Sequence, residues 1–157
     1  MTIITVNTLQ NRLTLEQRRR LAEGLTDAVL VPELGQHAPS ARVGFQVHFA
    51  EFSADRMAIG GKLLSDQTPQ PDVITIHIAV MAAAWPAEVR ADVIRRVLAC
   101  LSEVCGLKTP PTTWWVTFQV IDEGSWGSRG DVLSILNLLG SGVFTAERIA
   151  EIRKALS

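Results

Sequence analysis

Two stretches of alternating residues frame the chain. In MTIITVNTLQNR (residues 1–12), Ile4, Val6 and Thr8 point one way and Ile3, Thr5 and Asn7 the other, which predicts a strand over 3–9. In DVITIHIAV (residues 72–80), Ile74, Ile76 and Ile78 share a side, which predicts a second strand over 73–80. Each is followed by a helical pattern. Thr14 with Gln17 three residues on forms a capping box, and Leu21, Leu25, Ala28 and Val29 make the apolar stripe of a helix over 15–31, ended by Pro32 and Gly35. Trp85-Pro86 opens the second helix, where Val89, Val93, Val97 and Leu101 recur at spacing four before Gly106 stops it. Each helix leads to another alternating run: Val43, Phe45, Val47 and Phe49 in 43–51, and Trp114, Val116, Phe118 and Val120 in 114–121.

Each half then has a Gly-rich turn, ADRMAIGGKLLSD (54–66) and EGSWGSRGD (123–131). Thr2 and Asp72, like Met57 and Trp126, are separated by about 70 residues, so the chain reads as a tandem repeat. The expected organisation is a first β-α-β repeat over 1–66, a linker over 67–71 (QTPQP), a second repeat over 72–139, and a hinge and helix over 140–157. Thr145 caps that last helix, and Ile149, Ile152 and Leu156 form its stripe. The fold class is α+β: two parallel strand pairs joined in a four-stranded mixed sheet, with both helices on one face and a short C-terminal helix beyond. The sheet face away from the helices carries Thr5, Asn7, Gln46, His48, Thr75, His77, Thr117 and Gln119. Burial in an oligomer or plain solvation are its two fates.

Composition narrows the partners. The 157 residues are 47% hydrophobic and 20% charged, with a net charge of −1, and contain no basic run of the kind that binds nucleic acid through phosphates. No apolar stretch reaches the roughly 18 residues of a membrane helix, and the first residues lack a signal-peptide pattern, so the expected location is cytoplasmic. Cys100 and Cys105 have neither a redox nor a metal spacing. His48 and His77 share a sheet face, but no acid or thiol is placed to complete a metal set with them.

The layout resembles the tautomerase superfamily. TIITVNTLQNR resembles the opening strand of 4-oxalocrotonate tautomerase (4-OT), which begins with proline and has an arginine ten residues later. Arg12 fits that arginine when Thr2 takes the place of the proline. AEFSADRMAIGG resembles the segment that ends in an aromatic followed by Gly-Ile-Gly-Gly, with Met57 in the aromatic's place. NRLT, LTDAV, WVTF and the turn at Arg129 resemble the fused members, the cis-3-chloroacrylic acid dehalogenase type in particular. The resemblance implies the tautomerase/MIF fold, a homotrimer, a small carboxylate ligand, and keto–enol tautomerisation of small 2-oxo acids without a cofactor.

The departures limit that chemistry. The family's base is the amine of an N-terminal proline, whose pKa is lowered in its pocket. Here that position is Thr2, and the second copy offers Asp72. The family's second arginine falls on Gln46, or on Arg42 if an insertion is allowed. The dehalogenase residues fall on Val29, Met81, Ala84 and Val120, so hydrolytic dehalogenation is not expected. The candidate catalytic residues are therefore Thr2 and Arg12, and the candidate substrate-binding residues are Gln46, Met57, Trp126 and Arg129. Three of them have a plain alternative. Arg12 reads equally as a surface arginine, Trp126 as packing and Arg129 as an interface group. Proline-based turnover is expected to be absent or weak. Two alternatives stand beside that reading: a binding or assembly protein on the same scaffold, and an enzyme that uses Arg12 with a primary amine at the terminus.

Overall fold

The alternation of the opening stretch becomes strand β1 (Thr2–Leu9), which buries Thr2, Ile4, Val6 and Thr8 and leaves the residues between them half-exposed, in a computed structural model that describes the whole chain, Met1–Ser157. Helix α1 (Leu15–Leu34) starts at the capping box, where the Thr14 hydroxyl accepts from the Gln17 amide and the Gln17 side chain accepts from the Thr14 amide. Strand β2 (Phe45–Phe52) follows a 3-10 turn, Pro39–Gly44. The second repeat supplies β3 (Ile74–Met81), α2 (Ala87–Val104) and β4 (Trp114–Ile121). Helix α3 (Ala146–Ala155) closes the chain, with the Thr145 hydroxyl accepting from the Arg148 amide at its start.

The strands form one mixed sheet in the order β2-β1-β3-β4. β1 runs parallel to β2, β3 parallel to β4, and the two pairs meet antiparallel through β1 and β3. α1 and α2 pack together over the buried face. Leu21, Leu25 and Val29 of α1 and Val93, Val97 and Leu101 of α2 meet Ile4, Val6, Ile74, Ile76, Ile78 and Val80 in a single core. Each such side chain stabilises the fold by about 1.5–3 kcal/mol when fully buried. No helix is long and apolar enough to cross a membrane.

Strand pairing fixes how the repeats correspond. β2 and β4 superpose at an offset of 69, Phe45 on Trp114 and Phe52 on Ile121. The turns keep the same offset: Leu64 donates its amide to the Met57 carbonyl, and Leu133 donates to Trp126. Thr2 pairs with Phe45, however, and Trp114 pairs with Ile74. The residue equivalent to Thr2 is therefore Ile74, an offset of 72, and not Asp72. The helix caps Thr14 and Pro86 keep that larger offset, so the second copy has lost three residues between its helix start and its second strand.

Two boundaries differ from expectation. α1 continues through Pro32 and ends at Gly35, whose left-handed backbone (φ 79°) turns its amide back to the Val31 carbonyl at 2.9 Å. Val43 lies in the 3-10 turn and is 90% exposed, because β1 offers β2 no pairing partner before Thr2.

Candidate functional site

The candidate pocket lies at the Thr2 end of the sheet. It is a cleft of about 420 Å³ between Met1, Thr2 and Ile3 of the first strand, Val43, Gly44 and Gln46 before and in β2, Ala79 and Ile121 of the second repeat, and the Ser125–Ser128 turn carrying Trp126. Thr2, Gln46 and Trp126 are thus brought together. No Asp, Glu, Lys, Arg or His side chain lines the cleft. Its polar groups are the Gln46 amide and the Ser125 and Ser128 hydroxyls, together with backbone.

Within one chain, the other predicted residues lie outside this cleft. Arg12 follows the far end of β1, about 25 Å from Thr2 at about 3.3 Å per residue. It is committed there to Asp72, with Nε–Oδ1 and Nη2–Oδ2 both at 2.7 Å, and its guanidinium sits 5.8 Å from the Trp114 ring centroid. Asp72 is the guanidinium's partner and also holds its pKa above the ordinary value. Arg42 is held by Asp27 through Nε at 3.1 Å and Nη2. Met57 enters the first-repeat hairpin Ala58–Leu63 and does not reach the cleft. Arg129 stands at the tip of the matching hairpin with φ 56°, where the first copy has Gly60 with φ 61°, and it also does not line the cleft.

Two histidines flank Thr5 across the sheet: His48 on β2 and His77 on β3. Their rings meet Gln46 Oε1 at 3.0 Å and Thr117 Oγ1 at 2.5 Å. Trp114 is buried and Trp115 is 57% exposed on the open face. Burial pushes the thiols of both Cys100 and Cys105 up, which leaves neither poised as a thiolate.

A charged cluster behind Thr2 escaped the sequence reading. The Thr2 hydroxyl turns away from the cleft and donates to Glu33 Oε2 at 3.1 Å. Glu33, in the last turn of α1, is 1% exposed. Its Oε1 makes no hydrogen bond and lies 3.9 Å from the Met1 amine. Arg148, 6% exposed, donates from Nε to the Glu33 carbonyl at 3.1 Å and from Nη2 to the Ala83 and Ala84 carbonyls at 2.6 and 2.9 Å, and pairs with Glu151 through Nη1. The signal was present: Glu33 continues the Leu25–Val29 line at spacing four, and Arg148 shares a helix face with Ile152. A charge on an apolar stripe marks a buried partner.

Burial pushes the Glu33 carboxyl up, against the opposing pull of the Met1 amine, the Thr2 hydroxyl and Arg148. A carboxyl raised by folding holds its proton better in the folded state. Its contribution to stability is therefore full below the ordinary value of 4.5 and is lost as pH rises through the folded value. Glu33→Gln is expected to flatten that decline in urea unfolding followed from about pH 4 to about pH 8. Equal slopes in both proteins would show that Glu33 does not titrate in this way.

Comparison with known proteins sets the cleft in a wider frame. Residues 3–67 match the family model described as tautomerase enzyme. The chain is similar to the crystal structure of N1, a member of the cis-3-chloroacrylic acid dehalogenase family, at 19% identity and TM-score 0.69, covering 97% of this chain and 99% of that one. It is also similar to native fused 4-OT, at 22% identity and TM-score 0.67 over 83% of this chain and 94% of that one. A macrophage migration inhibitory factor-like protein from Entamoeba histolytica aligns at 12% identity and TM-score 0.60 over 84% and 98%. No curated protein matches by sequence.

Proposed function

We propose that the chain is a fused two-repeat member of the tautomerase superfamily, whose mixed sheet and helices it shares, and that it has left the proline-amine chemistry behind. Keto–enol turnover of small 2-oxo acids is absent or very weak. The observation that carries this reading is Thr2. It occupies the position at which the opening strand of 4-OT has its proline, and threonine supplies no secondary amine there; with Met1 attached, its nitrogen is a peptide nitrogen inside the sheet, where the Met1 carbonyl accepts from the Met81 amide at 3.3 Å. A peptide nitrogen has no basic lone pair. The Thr2 hydroxyl is spent on Glu33, and the cleft offers a substrate carboxylate no guanidinium.

The cleft then serves to bind a small neutral or weakly polar molecule through the Gln46 amide, the serine hydroxyls and the Trp126 ring. Enzymatic use of Arg12 with a terminal amine would need the two groups from different chains, because they lie at opposite ends of β1 in one chain. The test is turnover of phenylpyruvate and 2-hydroxymuconate. Rates equal to those in buffer are expected. A robust rate that disappears in Trp126→Ala would overturn the proposal.

The open sheet face supports self-association. Phe52 and Trp115 are 37% and 57% exposed, beside the row His48, Thr5, His77 and Thr117. Fused 4-OT relatives include symmetric and asymmetric trimers, and a trimer that covers these faces is proposed here. Light scattering on the eluted protein is expected to give three times the 17.1 kDa chain mass. A chain mass of one, unchanged with concentration, would refute the trimer and leave the fold untouched.

A further inference from the structure

A second cavity lies behind the candidate cleft. It is a half-open space of about 230 Å³ between the end of α1, the approach to β2 and the segment before α3, and is lined mainly by Leu34, Val43, Phe45, Leu138, Val143 and Phe144. Met1, Val43 and Gly44 border both spaces. The Met1 side chain is the partition: a Cβ on Gly44 would stand 3.1 Å from its sulfur.

One ionisable side chain faces this cavity, and it is Glu33. Oε2 is occupied by the Thr2 hydroxyl, and Oε1 accepts no hydrogen bond from the protein. Oε1 lies 3.9 Å from the Met1 amine with no hydrogen bond of its own, and a donor entering the cavity would supply one. Size fits a single ring, since a cavity of about 150 Å³ lined by Leu, Ile and Phe already holds benzene. The rest of the lining is apolar apart from Ser40, Ser141 and the Met1 amine beside Glu33.

We propose that this cavity is a binding site for a small uncharged phenol or alcohol. The ring or alkyl chain lies among Phe45, Leu138, Val143 and Phe144, and the hydroxyl donates to Glu33 Oε1. The proposal is independent of the reading above, because it concerns a different cavity and requires no turnover.

The test uses the full chain and three probes of similar size. Phenol has a donor, anisole only an acceptor, and toluene neither. Binding is followed by calorimetry and by NMR shifts of the Val143 and Phe144 signals. Phenol is expected to bind at least tenfold tighter than anisole or toluene. Glu33→Met, which keeps the volume and removes the acceptor, should erase that preference, and Val143→Phe, which fills the space, should abolish binding of all three. Equal binding of the three probes to the native chain, or no binding of phenol, overturns the proposal. That comparison needs no variant, so a Glu33→Met chain that failed to fold would leave the proposal falsifiable. Shifts confined to Trp126 and Gln46 would also overturn it, since they would place the ligand in the outer cleft.

Discussion

Arg148→Met is expected to destabilise the fold by about 3–5 kcal/mol, the usual cost of removing one partner from a buried charged network. The guanidinium joins three parts of the chain: the Glu33 carbonyl at the end of α1, the Ala83 and Ala84 carbonyls after β3, and Glu151 on its own helix. Methionine fills much of the same volume and supplies no donor. Those carbonyls lose their partners, and Glu33 loses a nearby positive charge. At roughly 2–4 °C per kcal/mol for a chain of this size, the melting temperature falls by about 6–20 °C. Thermal unfolding by circular dichroism checks it. A shift within about 2 °C would mean that water replaces the guanidinium at little cost.

Gly35→Ala is expected to cost about 2–5 kcal/mol and to loosen α3 in particular. Two effects add. The left-handed backbone at φ 79° costs about 1–2 kcal/mol for a residue with a Cβ. The new Cβ would then stand 2.5 Å from Thr145 Oγ1 and 2.8 Å from Arg148 Cγ, and overpacking of that kind costs about 1–3 kcal/mol. The Thr145 hydroxyl is the cap of α3, and the Thr145 amide donates to the Leu34 carbonyl at 2.9 Å. Hydrogen exchange should therefore rise first in Ala146–Ala155, with β1 and β3 still protected. Uniform loss of protection would show that α3 does not open separately from the sheet.

Much of the scaffold was legible because it follows from period and punctuation. Alternation at Ile4, Val6, Ile74, Ile76 and Ile78 reports a sheet buried on one side, and it survives as the buried face of β1 and β3. The Thr14–Gln17 box located a helix start, since its two bonds are local. Register was less legible. Two residues of slip keep every side chain on its face, so the pattern alone could not tell Asp72 from Ile74 as the counterpart of Thr2.

Of the site, Thr2, Gln46 and Trp126 converge because all three sit at one end of the sheet or its flanking turn. Arg12 could not be placed from spacing. Its partner Asp72 comes from the other repeat, 60 positions on. Glu33 was hidden for a related reason: a glutamate in a helix ordinarily faces water, and only the return of the C-terminal segment covers it. Long-range closure of that kind leaves no local trace beyond a charge in an apolar row.

The antiparallel seam between β1 and β3 has one more consequence. The two β-α-β units meet within a single molecule, so dilution cannot separate them and neither can trade its mate for another. Each unit is also free to change alone, as Gly60 in one and Arg129 in the other already do. A substitution in a homomeric ring of single units would recur at every position, whereas here it appears once per chain, and novelty can be confined to half of the seams.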